Sequence, residues 1–130
     1  EAAKSRNYSM LLHVGDIAYT KGRTCIWDNF FREMEPATSR VPYMVSPGNH
    51  EHYYNFSGYR RRFAMPGEGR SNENLWYSFD YGGVHIASFS TEHDLQPQMV
   101  WLREDLARAV ANRKAVPWIV VMAHKPLYCS

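Results

Sequence analysis

Three short apolar runs, each ending in a polar residue able to bind a metal ion, constrain this chain more than any other feature. Met10-Leu11-Leu12-His13-Val14 leads into Gly15-Asp16-Ile17-Ala18-Tyr19, and Pro42-Tyr43-Met44-Val45-Ser46 leads into Pro47-Gly48-Asn49-His50-Glu51. Trp118-Ile119-Val120-Val121-Met122 leads into Ala123-His124. Continuous apolar runs of this length suit strands buried on both faces, as in a parallel sheet covered by helices. Their polar ends fall where such sheets carry their sites, at loops beyond the strand termini. The expected fold class is therefore α/β: a layered sheet with flanking helices.

The segments between the runs fit that class. Ile26, Trp27, Phe30, Phe31 and Met34 recur at helical spacing, with Thr24 as the expected N-cap and Pro36 as the expected stop. This stripe reads as core packing, and the strand–helix–strand unit predicts a right-handed crossover between parallel neighbours. Residues 52–74 read as an irregular surface excursion, with a helical stretch from Ser57 to Phe63 and a breaker at Pro66-Gly67-Glu68-Gly69. Gly82-Gly83 between two alternating runs predicts a hairpin of 76–81 with 84–89, an antiparallel pair added to the parallel sheet. Gln96 to Asn112 predicts a helix with Met99, Leu102, Leu106, Ala109 and Val110 on one face and a Glu104–Arg108 pair on another. Glu1 to Asn7 reads as the tail of a helix.

Bulk properties narrow the function classes. The 130 residues allow one domain at most, and the composition, 45% hydrophobic and 15% aromatic, is that of a packed globular chain. A net charge of +2 gives no footprint for nucleic acid, and Arg60-Arg61-Arg62 reads as a solvated face. No apolar stretch reaches the roughly 18 residues a membrane helix needs. The chain starts at Glu1 without an initiator Met or a leader, so it is expected to be a piece of a longer protein. Cys25 and Cys129 form neither a disulfide framework nor a zinc motif. The sequons at Asn7 and Asn55 permit N-glycosylation of a secreted protein.

Gathered at one sheet edge, Asp16, Tyr19, Asn49, His50 and His124 supply a carboxylate, a phenol, an amide oxygen and imidazoles. Such an oxygen-rich set suits iron, manganese or zinc rather than a thiolate site. A carboxylate can bridge two cations, and two cations about 3.5–4 Å apart clamp both oxygens of a phosphoryl transfer. Singly, each residue is more often a turn former or a locally satisfied histidine. His13 and His85, inside strand patterns, read as core or supporting residues. His52, His93 and Lys125 lie in loops beside the site, and Glu51 either orients His50 or completes the turn.

Gly15-Asp16-Ile17-Ala18-Tyr19, Gly48-Asn49-His50-Glu51 and Val121-Met122-Ala123-His124 resemble, in order, signature blocks of the purple acid phosphatases, calcineurin-like metallophosphoesterases. The resemblance runs over essentially the whole chain, and Tyr54-Asn55-Phe56-Ser57 and Ser90-Thr91-Glu92-His93-Asp94 look like the plant-type and animal plant-like branch. It implies hydrolysis of phosphate monoesters at a dinuclear centre of ferric iron and a divalent iron, zinc or manganese. Asp16 would bridge the metals, Tyr19 would bind ferric iron as phenolate, and Asn49 and His124 would hold the divalent ion. His50 would contact the phosphate, beside Asn49, or assist the leaving alcohol. A secreted, lysosomal or vacuolar location is implied as well. The Asp-x-Gly block before the first strand and the Gly-His-x-His block after Ser130 are absent, so residues 1–130 resemble a partial catalytic domain, incomplete at both ends and expected to be inactive alone. The alternatives are a manganese or zinc phosphoesterase acting on diesters or nucleotides, and an inactive truncated module that binds phosphate.

Overall fold

A computed structural model describes residues 8–67 and 72–126. The expected tail helix of residues 1–7, with Asn7, and Cys129 lie outside the described residues. Strand β1 (Leu11–Val14) pairs in parallel with β2 (Tyr43–Ser46), Leu11 opposite Tyr43 and Val14 opposite Ser46. Helix α1 (Cys25–Thr38) connects them.

Helix α1 departs from its expected ends. Thr24 stands at the N-cap but its side chain makes no capping bond. Pro36 does not stop the helix. Its ring costs one backbone bond, yet the Thr38 hydroxyl donates to the Met34 carbonyl (3.1 Å) and the Ser39 amide to the Glu35 carbonyl (3.0 Å), which hold the last turn. The aromatic stripe packs as expected: Trp27 is 3% exposed, stacked on Phe31 and edge-on to Phe30 and Phe63.

The short helix α2 (Ser57–Arg62) follows, and then the hairpin of β3 (Tyr77–Tyr81) and β4 (Val84–Ser88), in register from Tyr77–Ser88 to Tyr81–Val84. Gly82, at φ +58°, takes the left-handed conformation the two-residue turn requires. Helix α3 (Leu95–Ala111) leads to β5 (Trp118–Met122), parallel to β4. Asp94 caps α3 by accepting from the Gln96 amide at 3.0 Å.

Two expectations are corrected. The hairpin does not extend the β1–β2 pair: β1–β2 form one sheet and β3–β4–β5 another. The sheets meet where the Tyr77 hydroxyl donates to the Val45 carbonyl at 2.7 Å, around a core that includes Ile17, Trp27, Met44, Val45 and Met122. Of the three apolar runs, β2 is buried from Met44 to Ser46 as expected, but β1 and β5 are not buried on both faces. Leu12 and Val14 are exposed in β1 and Trp118, Val120 and Val121 in β5.

The inner face of α3 also differs from the apolar reading. Gln98, Leu102, Asp105 and Ala109 are buried, while Val110 is exposed. Gln98 is tolerated because its amide exchanges hydrogen bonds with the Ser90 backbone, at 2.7 and 3.0 Å. Arg108 pairs with Asp105 (3.2 Å) in the place of Glu104.

Candidate metal and phosphate site

Two glycines allow the ends of β1, β2 and β5 to converge. A Cβ on Gly15 would lie 2.5 Å from His124 Nδ1 and 2.8 Å from the Gly48 Cα. A Cβ on Gly48 would lie 2.4 Å from both the amide nitrogen and Oδ1 of Asp16. No side chain fits at either position, so the backbone itself brings Asp16, Asn49 and His124 together.

Asp16 is held with φ +56°, a left-handed conformation that costs a non-glycine residue about 1–2 kcal/mol. Glu51 offsets that cost. Its carboxylate, on a side chain that leaves the residue 5% exposed, accepts the Asp16, Ile17 and Gly48 amides, each at 2.8 Å. Of the two expected roles, Glu51 therefore completes the turn, and it also ties the β1 loop to the β2 loop. Charge-assisted bonds of this kind are about twice as strong as neutral ones.

Asp16 is the hub of the cluster. Its Oδ1 accepts the His50 amide at 3.0 Å and its Oδ2 accepts the Tyr19 hydroxyl at 3.1 Å. His124 Nε2 lies 3.4 Å from Oδ1, and His50 Nε2 lies 3.9 Å from Oδ2. Desolvation works against the ionised carboxyl, but the His50 amide, the Tyr19 hydroxyl and the two nearby imidazoles outweigh it, so Asp16 lies below the ordinary carboxylate range. The same bond raises Tyr19, whose proton Asp16 holds. The half-exposed Tyr19 ring leans on His50, with ring centres 4.6 Å apart.

His124 tests whether a metal fits. Its Nδ1 lies 2.8 Å from the Val14 carbonyl, which can only accept, so the ring proton sits on Nδ1. In the neutral ring Nε2 is then a lone pair, aimed at Asn49 Oδ1 (3.2 Å) and Asp16 Oδ1 (3.4 Å). With Nε2 protonated these oxygens accept its hydrogen; with the ring neutral its lone pair and the two oxygens would suit a cation. The donor set of carboxylate, amide oxygen, imidazole and phenol suits a hard or borderline metal. Among the described residues no three His, Cys, Asp or Glu side chains are grouped to hold an ion, so the available donors are a mixed set.

The other expected neighbours take different places. His52 Nδ1 bonds the Asn49 carbonyl at 2.7 Å while its ring stacks on Tyr53. His93 lies against Phe56 and bonds Ser90 Oγ at 2.8 Å; burial, with the nearby Arg60, lowers its pKa. Lys125 is anchored to Glu92 at 3.0 Å. His13 bonds the Tyr43 hydroxyl, and burial lowers its pKa. Arg60 is not simply solvated: it pairs with Glu73 at 2.9 Å, while Arg61 and Arg62 are exposed. Asn55 is exposed in the loop before α2, and Cys25 is a free, exposed thiol at the start of α1.

The calcineurin-like phosphoesterase family model matches residues 1–130. The chain belongs to that family. Within this phosphoesterase family it is 49% identical over 134 residues to human acid phosphatase type 7, covering 95% of the chain and 30% of that protein. It is 38% identical to purple acid phosphatase 22 of Arabidopsis thaliana, covering 95% of the chain and 31% of that protein. A purple acid phosphatase from yellow lupin (Lupinus luteus) seeds superposes with a TM-score of 0.87 at 29% identity, over 99% of the chain and 25% of the lupin chain. The chain thus spans under a third of the length of these relatives.

Proposed function

We propose that this chain forms the central part of a purple acid phosphatase site that hydrolyses phosphate monoesters. One observation carries the reading: Asp16, Asn49 and His124, delivered by three separate strands, converge, with His124 Nε2 3.2 Å from Asn49 Oδ1 and 3.4 Å from Asp16 Oδ1. In this reading Asp16 would bridge two metals, Tyr19 would bind ferric iron, and Asn49 and His124 would hold a divalent iron, zinc or manganese. The metals supply Lewis acidity and an ionised water at low pH. Further donors are needed beyond these four residues, so residues 1–130 alone are expected to be inactive.

The chain's own residues then have defined work. Tyr19, whose hydroxyl now donates to Asp16, would hold the ferric ion through its phenolate oxygen, its proton passing to solvent. His50, its backbone fixed on Asp16, directs its ring toward the same face and stabilises charge on the phosphate or protonates the departing alkoxide. Asn49 would lie beside the phosphate of the substrate. Activity in acid fits a secreted, lysosomal or vacuolar protein, and the sequon at Asn55 is exposed. No helix among the described residues is long and apolar enough to cross a membrane.

A phosphomonoesterase assay on the full-length protein, with Asp16→Asn beside it, tests the proposal. Hydrolysis of monoesters in acid that Asp16→Asn abolishes is expected. Hydrolysis confined to diesters or nucleotides, or turnover that survives Asp16→Asn, would overturn it.

A further inference from the structure

Away from the metal cluster, on the side of the hairpin covered by α3, one histidine is held between two carboxylates. His85 Nδ1 lies 2.7 Å from Asp80 Oδ1 and His85 Nε2 lies 2.8 Å from Asp105 Oδ2. Asp80 stands opposite His85 in the hairpin register, whereas Asp105 belongs to α3. Ionised carboxylates only accept hydrogen bonds, so both contacts are satisfied together only when both ring nitrogens carry protons.

The surroundings support a charged ring. Asp105 is 3% exposed and its Oδ1 also accepts Ser78 Oγ at 2.7 Å and Arg108 at 3.2 Å. β3 thus contributes Asp80 and Ser78, and α3 contributes Asp105 and Arg108. β5, on the far side of β4, sets Ile119 opposite His85 and carries no titratable side chain. With His85 protonated, the charges of Asp80, His85, Asp105 and Arg108 cancel; without that proton a buried carboxylate keeps only an exposed arginine. A cavity of about 390 Å³ bordered by these groups and Asn112 gives solvent protons access.

We propose that Asp80, His85 and Asp105 form a proton-held clamp that fastens α3 to the β3–β4 hairpin in acid and loosens it as the pH rises. Burial opposes the charge on His85, but the hydrogen bonds to Asp105 and Asp80 and their charges outweigh it, so the ring keeps its proton above the ordinary histidine range. A group raised in this way stabilises the fold fully below its ordinary value of 6.5 and loses that contribution as the pH passes its raised value.

Hydrogen exchange of the α3 amides in the full-length protein, from about pH 5 to about pH 9 across the histidine range and corrected for intrinsic rates, tests the clamp. α3 protection, referred to α1, is expected to fall several-fold with rising pH in the wild type. Asp80→Asn, at a half-exposed carboxylate, should move that fall to lower pH, and His85→Gln should leave protection low and flat. α3 protection that does not change with pH in the wild type would overturn the clamp. So would a fall of the same size and midpoint in wild type and Asp80→Asn, a comparison that stands even if His85→Gln does not fold.

Discussion

The Glu51 carboxylate accepts the backbone N–H of Asp16 at 2.8 Å across a separation of 35 residues. That bond, with those to Ile17 and Gly48, makes the left-handed turn at Asp16 and the turn before Asn49 a single unit. Glu51→Gln replaces one acceptor oxygen with an NH₂ group facing a buried N–H. The expected loss is about 1–3 kcal/mol of stability, with weaker metal binding. Chemical denaturation and metal titration of the two proteins check this.

Gly48→Ala presses a methyl carbon on the Asp16 backbone and carboxylate. Because the obstacle is backbone rather than a flexible side chain, relief comes only by moving the two loops apart. Overpacking of this kind costs about 1–3 kcal/mol, and metal affinity is expected to fall further than stability does. Isothermal titration alongside thermal melting separates the two effects.

Asp16 links the site to acid stability. Its carboxyl is depressed in the folded chain, so its contribution is present above the ordinary value of 3.8 and is lost as the pH falls through the depressed value. Metal-free Asp16→Asn should lack this component, giving a shallower fall of the melting temperature in strong acid than the wild type. Parallel slopes for the two proteins would contradict the assignment.

Asn55 is exposed, followed by Phe56 and Ser57, and so open to an oligosaccharide transferase. Protein from a secretory host is expected to lose mass on treatment with an N-glycosidase, and Asn55→Gln to remove that change. An unchanged mass in both would exclude modification at this sequon.

Much of this arrangement was legible in the chain because strands, turns and helices carry local signals. The runs ending at Val14, Ser46 and Met122 marked the three strands, Gly82-Gly83 the hairpin, and Gly-Asp and Gly-Asn-His the loops that converge. What escaped is non-local. Glu51 looks like a turn residue until the loop bearing Asp16 folds over it. Val110 matches the apolar period of α3, yet Asp105 takes an inner position because His85 and Ser78 satisfy it. Apolar content likewise could not reveal that Leu12, Val14, Trp118, Val120 and Val121 stay exposed, because burial depends on neighbours and not on the run itself.

The visible absorption of the purified full-length protein, compared with Tyr19→Phe, tests the central claim most directly. A ferric ion bound by the Tyr19 phenolate gives a charge-transfer band, so the wild type is expected to be coloured and Tyr19→Phe bleached, with some activity kept. A colourless wild type, or a band unchanged in Tyr19→Phe, would contradict the assignment of Tyr19 as the iron ligand.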